Sequence, residues 1–249
     1  EIFVMSFDAA REQMIQQQLR TWEVLDQDVL DVFERIPRER FVPAGYESLA
    51  YADIELPLGQ GDHMLAPKVT GRILQALAIQ PADQALEIGT GSGYLTAGLA
   101  ARARSVRSLE IRADLAAQAA KNLTGIGVRN VTVEHRDAYA NEALGSTAYD
   151  VIALTGSLPI DDARYARQLA IGGRLFAVIG QGAVMEATLI ERVKLSARPS
   201  GRARHVDAQG LQAQPRAASG RADTTAPRAR RTAACRRGGH ACRPWLVDQ

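Results

Sequence analysis

The sequence predicts an α/β fold with a mostly parallel central sheet, helices on both faces and a helical N-terminal extension. Three observations carry this. Short apolar runs of strand character alternate with helical patterns from residue 84 to about residue 179, as successive β-α-β units do. A glycine-rich turn, Gly89-Thr90-Gly91-Ser92-Gly93, follows the first of those runs and opens a helix. Apolar residues make up 46% of the 249, enough for a sizeable buried core.

The elements follow in order. Phe7, Met14, Ile15 and Leu19 stand at helical spacing among Gln and Arg, predicting a helix over 7–20. A second helix is expected over 26–35, with Val29, Leu30, Val32 and Phe33 on its apolar side and Pro37 ending it. Residues 41–65 are rich in Pro, Gly and Tyr and read as loops with short strands. A third helix starts at Pro67, proline being favoured in a first turn, and runs to about residue 78. Strands are expected over 84–88, 105–110, 130–134, 149–154 and 174–179, and one more over 188–193. Helices fall over 94–103, 113–123 and 161–169.

Beyond Val193 the composition changes. Residues 194–249 contain 12 Lys+Arg against 3 Asp+Glu, leaving 18 against 25 in residues 1–193, so an acidic body carries a basic tail. The tail holds no Glu, Ile, Phe, Tyr or Met. Such a segment buries too little apolar surface to offset an ordering cost of about 1–2 kcal/mol per residue, and it is expected to be disordered, or only locally ordered against the body. Its Arg, Ala, Gly and Pro bias reads first as a shifted reading frame of a GC-rich gene; a nucleic-acid arm built on the cluster Arg228, Arg230, Arg231, Arg236 and Arg237 is the less favoured alternative. Cys235, His240 and Cys242 make a poor zinc signature, and no metal site is expected. With no long apolar run and no signal-peptide pattern, a cytoplasmic setting is expected.

The glycine turn has the spacing Gly89-x-Gly91-x-Gly93, not the Gly-x-Gly-x-x-Gly of dinucleotide-binding turns. Glu87 lies two residues before the first glycine, where a carboxylate repels a pyrophosphate and accepts from a cationic amino group. Glu110 ends the second strand about twenty residues on, a position from which an acid holds ribose hydroxyls. Asp137, after the third strand, is placed to contact an adenine amino group. A ligand with an ammonium, a sulfonium and a ribose but no phosphate fits this set, and S-adenosylmethionine is such a ligand. Its expected contacts are Glu87, Ile88, Gly89, Thr90, Gly91, Gly93, Glu110, Asp137 and Ala138.

The run Glu87-Ile88-Gly89-Thr90-Gly91-Ser92-Gly93-Tyr94 resembles the first motif of the protein-L-isoaspartate O-methyltransferase family. So do Ile36-Pro37-Arg38-Glu39-Arg40-Phe41-Val42-Pro43, Tyr51-Ala52-Asp53, Leu56-Pro57-Leu58-Gly59-Gln60-Gly61, Tyr149-Asp150-Val151-Ile152 with Thr155, and Gly172-Gly173-Arg174-Leu175. The resemblance covers residues 8–193. It implies a class I methyltransferase, Rossmann-like fold and methyl transfer from S-adenosylmethionine to a protein, peptide or small-molecule acceptor. It also implies a division into residues 1–80, shaping the substrate side, 81–193, binding the cofactor, and the tail 194–249.

Two departures accompany the resemblance. Where the family has a serine contacting the substrate carboxylate, this chain has Leu65, which cannot donate a hydrogen bond. His63 or Asp62 is then the candidate catalytic residue for an oxygen or nitrogen acceptor that needs a base, His63 also reading as a plain surface-loop residue. Isoaspartyl peptides stay open as acceptors if backbone groups near Gly61 replace the hydroxyl. The second departure is the tail, which stands where the family places its last strand, so the C-terminal part of the sheet is expected to be incomplete. A non-catalytic module binding the cofactor or, through the tail, nucleic acid is the alternative reading.

Overall fold

A computed structural model describes residues 6–140, 143–160, 162–181, 184–194 and 206–207. Helix α1 (Phe7–Met14) is capped by Ser6, whose Oγ accepts from the Ala9 N–H at 3.3 Å. The chain then widens into a π turn, Ile15–Leu19, and tightens into a 3₁₀ turn, Arg20–Trp22, before Glu23 stops it in the left-handed region. The continuous helix expected over 7–20 is therefore regular only in its first half. Helix α2 (Gln27–Arg35) starts on Asp26, whose Oδ1 accepts from the Asp28 N–H at 2.9 Å.

Strands β1 (Leu56–Gly59) and β2 (Asp62–Met64) form a separate antiparallel hairpin with Leu56 opposite Met64 and Pro57 opposite His63. Helix α3 (Pro67–Leu77) begins on its proline. The alternating part follows as β3 (Gln84–Ile88), α4 (Tyr94–Arg102), β4 (Ser105–Glu110), α5 (Ala113–Gly125), β5 (Val131–His135), β6 (Tyr149–Leu158), α6 (Ala163–Arg167) and β7 (Leu169–Gln181). Strands β8 (Val184–Glu191) and β9 (Val206–Asp207) complete a seven-stranded sheet of order β5-β4-β3-β6-β7-β8-β9. Strands β3 to β7 pair in parallel, and β8 and β9 each pair antiparallel.

One sequence expectation needs correction at the C-terminal edge. Strand β7 starts at Leu169, five residues before the predicted strand, because the Gly172-Gly173 pair lies inside it as an irregularity: Tyr149 faces Leu169, whereas Val151 already faces Arg174. Within the tail, Val206–Asp207 is locally ordered against the body, pairing with the sheet opposite Leu189 and Thr188. The free backbone groups on the outer edge of β8 provide the template for this pairing. The arginine cluster 228–237 and Cys235, His240 and Cys242 lie outside the described residues.

Side chains alternate along the buried strands and fill two cores. Val151 and Ala153 of β6, with Phe176 and Val178 of β7, join a cluster containing Leu19, Phe33, Leu74, Leu77 and Leu99. Ile152, Leu154, Leu175 and Ala177 face the other way, against Leu86, Tyr165 and Leu169. The sheet is thus covered on both faces, the usual condition of parallel strands. Because α1 to α3 share the first core, the N-terminal segment is packed onto the sheet, which fixes where the β1–β2 hairpin sits.

Candidate active site

The chain runs outward from β3 to β4 and β5, then returns to β6 on the other side of β3. This reversal leaves a crevice at the carboxyl ends of β3 and β6, where open α/β sheets bind ligands. Thr155 bridges it, donating from Oγ1 to the carbonyls of Ile88 at 3.0 Å and Gly89 at 2.7 Å. Gly89 has φ +95°, and a Cβ there would overlap Thr155 Oγ1, so a side chain is excluded on two counts. Gly93, with φ +88°, is the residue from which α4 starts, and a Cβ on it would sit 3.2 Å from that of Ala119.

Three predicted acids end three adjacent strands. Glu87, in β3, has no exposed surface. Its Oε2 accepts from Thr96 Oγ1 at 2.5 Å and Ser108 Oγ at 2.6 Å, while its Oε1 is buried with no partner. Burial pushes its carboxyl up to about 8; the two hydroxyls oppose the shift and the charge on Glu110 adds to it. Glu110, ending β4, accepts the Gly91 N–H on Oε2 at 2.8 Å and the Arg112 N–H on Oε1 at 3.0 Å. Asp137, just past β5, is exposed on the rim, its Oδ1 accepting from the Tyr139 N–H at 2.8 Å; Ala138 beside it is buried. Ile88, Gly89, Thr90 and Gly91 line the cleft with these acids, and Thr90 Oγ1 lies 2.6 Å from Ser108 Oγ. Gly93 does not line it; it shapes the turn from behind.

The cleft has a volume of about 630 Å³, and its far end is formed by the β1–β2 hairpin. Asp62, His63 and Leu65 all border it. Asp62 is ion-paired, its Oδ2 2.8 Å from Arg112 Nη1. His63 is exposed toward the cleft and Leu65 is half-buried.

Three further residues here escaped the sequence reading. Arg38 is completely buried, donating from Nε to the Ala50 carbonyl at 2.7 Å and from Nη2 to the Leu65 carbonyl at 2.7 Å. Its guanidinium lies 4.8 Å from the centre of the Tyr94 ring, and Nη1 has no partner. Burial pulls its pKa down to about 10. Arg38 sits in the first upstream motif, but arginines are mostly exposed, so nothing in that charged run marks it as the one that turns inward. Arg112 ties the hairpin to β4, and Glu55, just before β1, faces the cleft half-buried. Arg112 had no local signal, since its bond to Asp62 spans 50 residues of sequence.

The sequence pattern of the protein-L-isoaspartate(D-aspartate) O-methyltransferase family matches residues 9–208 of this chain. The chain belongs to that family. A protein-L-isoaspartate O-methyltransferase of Synechococcus sp. is 39% identical over 175 residues, covering 70% of this chain and 71% of the relative. One from Koribacter versatilis is 40% identical over 175 residues, covering 70% and 78%. Among solved structures, a Plasmodium falciparum chain described as a protein-L-isoaspartate O-methyltransferase, in complex with S-adenosyl-L-homocysteine, superposes with a TM-score of 0.64. At 20% identity, over 76% of this chain and 91% of that one, its likeness is one of fold. A second protein-L-isoaspartate O-methyltransferase gives 0.63 at 25% identity, over 74% and 60%.

The chain is accordingly an S-adenosylmethionine-dependent methyltransferase with a Rossmann-like sheet, and the comparisons give no support to a non-catalytic binding module. The family match extends past residue 193 as far as residue 208, which includes β9. Among the described residues no helix is long and apolar enough to cross a membrane.

Proposed function

We propose that the chain holds S-adenosylmethionine between the ends of β3, β4 and β5, and transfers its methyl group to an acceptor entering beneath the β1–β2 hairpin. The observation that carries this reading is Glu87 Oε1, a fully buried acceptor with no partner beside the glycine turn. A buried polar atom left unpaired is costly, and a ligand's ammonium donor would satisfy it. The other groups present fit the same ligand. Glu110, fixed by two backbone N–H bonds, would receive the ribose hydroxyls, and Asp137 with Ala138 would border the adenine.

Bound there, the cofactor supplies an electrophilic methyl group on a sulfonium. The chain's own residues align and desolvate. Thr155 fixes the β3 end, and the apolar side chains of Leu58, Leu65 and Leu158 keep the cleft's interior dry. Holding two reactants in register contributes up to about 7–11 kcal/mol to barrier reduction. In this reading residues 6–80 form the acceptor side and 81–193 the donor side. Asp62, paired with Arg112, serves to hold the hairpin, and His63 is the hairpin residue free to act on an acceptor.

Calorimetric titration with S-adenosylhomocysteine tests the donor site. We expect saturable binding by the wild type and a loss of about 10-fold or more in Glu110→Gln, from removal of a charge-assisted hydrogen bond. A wild type with no affinity for this ligand would refute the assignment.

A further inference from the structure

Resting on that donor site, we propose that Arg38 and Tyr94, beside the start of α3, form the subsite that holds an acceptor carboxylate, taking the place of the hydroxyl that Leu65 lacks. Hydrogen bonds already described provide the placement. Arg38 Nη2 donates to the Leu65 carbonyl at 2.7 Å, so Nη1, on the same planar group, lies beside the entry to α3. Arg38, Leu65, Thr70 and Tyr94 all line the cleft. Two polar atoms of this group, Arg38 Nη1 and Tyr94 Oη, are buried with no hydrogen-bond partner among the described residues. The guanidinium lies over the Tyr94 ring, 4.8 Å from its centre, where its charge acts on the phenol. That contact is too poorly directed to pair Nη1 with Oη, and both stay open to a ligand.

A guanidinium under complete cover calls for an anion, and the described residues supply none. Glu39, next in sequence, turns to Arg11 and Tyr51. Asp62 is held by Arg112, and the charge acting on Glu55 is that of His63. Helix α3 adds to the imbalance. It is 11 residues long and begins without a side-chain cap, so its first-turn N–H groups present partial positive charge at the same place. The donors are also held in position. Arg38 is anchored through Nε and Nη2, which leaves Nη1 for a ligand. Phe33 and Phe41 meet the Tyr94 ring edge-on, with centroids 6.1 and 5.4 Å away, and fix where its hydroxyl stands. Burial pushes that phenol up to about 12, so it remains a donor.

An acceptor carboxylate placed here is held through one oxygen by charge-assisted hydrogen bonds. Its other oxygen forms the bond to the methyl carbon as the carbon–sulfur bond breaks, the electron pair remaining on sulfur. The products are the methyl ester and S-adenosylhomocysteine, and no proton is released. The carboxylate loses its charge during this step, so Arg38 holds the ground state more tightly than the transition state. Its contribution therefore falls on acceptor affinity and alignment, and is read in KM more than in kcat. The neutral ester offers Arg38 no charge to hold, which favours its departure.

The test titrates two probes into the full chain saturated with S-adenosylhomocysteine: an isoaspartyl hexapeptide, and the same peptide with that carboxylate replaced by a carboxamide. The sulfur of the bound ligand is uncharged, so a preference for the carboxylate comes from the chain. We expect the wild type to bind the carboxylate peptide about 10-fold or more tightly than the carboxamide. Tyr94→Phe removes a hydroxyl that has no partner, so it should match the wild type in stability yet lose about 10-fold in carboxylate affinity. Arg38→Lys should narrow the preference further, with KM for methylation of the hexapeptide rising more than kcat falls. S-adenosylhomocysteine affinity should be unchanged in both variants. Equal affinity of the wild type for the two peptides, or a preference that Tyr94→Phe leaves intact, overturns the proposal, even where Arg38→Lys fails to fold. Failure of the wild type to bind either peptide while S-adenosylhomocysteine binds overturns it as well. A wild type without affinity for S-adenosylhomocysteine would instead mark failure of the donor site, and the carboxylate subsite would fall with it.

Discussion

Arg112 and Asp62 join the two ends of the cleft. Arg112 Nη1 donates to Asp62 Oδ2 at 2.8 Å and to the Gly59 carbonyl at 2.7 Å, while the backbone N–H of the same residue donates to Glu110 Oε1 at 3.0 Å. Its other terminal nitrogen reaches Asp114 Oδ2 at 2.5 Å. The hydrogen bonds to Asp114 and Asp62 hold the guanidinium above its ordinary pKa, so it stays charged throughout the working range. One residue therefore ties the hairpin on the acceptor side to the carboxylate assigned to the ribose.

This linkage predicts coupling between the two sides. Asp62→Asn removes one charge from a partly exposed pair and should cost no more than about 1 kcal/mol of stability. Arg112→Leu frees the hairpin and also removes support from the turn after β4. We expect it to weaken S-adenosylhomocysteine binding by about 5- to 20-fold, roughly 1–2 kcal/mol, although Arg112 has no assigned contact with that ligand. Limited proteolysis would then cut within residues 56–64 faster in the variant. Equal cleavage rates and equal affinities would show that the hairpin is held by its apolar contacts alone.

Gly89→Ala should be severe. The position has φ +95° and the added methyl overlaps Thr155 Oγ1, so strain and steric conflict act together. A loss of about 2–4 kcal/mol is expected, read by urea denaturation. Thr155→Ala in the same chain removes the overlap but leaves the backbone strain, and should restore only part of the loss. Full restoration would show that the backbone conformation contributes nothing.

The sequence revealed the parts of this architecture whose signals are local. Glycine spacing, a strand before it and an acid at each strand end placed Glu87, Glu110 and Asp137 around one cleft, and the motifs from Ile36 to Gly173 identified the family. Boundaries drifted where tertiary contacts override periodicity. The π turn after Met14 looks helical in sequence, and Gly172-Gly173 reads as a turn although it lies within β7. Long-range electrostatics were invisible. Arg38 and Leu65 stand 27 residues apart and Arg112 and Asp62 stand 50 apart, and only folding pairs them.

Arg38 supplies a prediction of its own. It bonds two loop carbonyls from a fully buried position, and no carboxylate among the described residues neutralises it. Arg38→Met keeps much of the side-chain volume and removes the charge, but it leaves the Ala50 and Leu65 carbonyls without their donors. Unsatisfied buried acceptors cost about 1–3 kcal/mol each. Relief of the buried charge offsets part of that, so a net loss of about 2–3 kcal/mol is expected in chemical denaturation. Arg38→Lys, with one nitrogen head for two carbonyls set apart, should fall between the variant and the wild type. A Met variant as stable as the wild type would show that the two loops hold their positions without this residue.

Glu87 gives the sharpest dependence on pH. Its carboxyl titrates near 8 in the folded ligand-free protein and near 4.5 when unfolded, so folding favours the protonated form. The stability contributed by burying it neutral is fully present below pH 4.5 and is lost as pH rises through 8. Each unit of pKa difference corresponds to about 1.4 kcal/mol, which puts the loss across this window at several kcal/mol as an upper bound. Glu87→Gln is uncharged throughout and lacks this slope, while every other titrating group is common to both proteins. Denaturation curves measured from pH 5 to pH 9 should therefore converge or cross, the wild type declining relative to the variant. A ligand ammonium beside Glu87 favours the ionised form, so S-adenosylhomocysteine should stabilise the wild type more at pH 8 than at pH 6 and release a proton on binding. Parallel stability curves for the two proteins would place the titration of Glu87 outside this range.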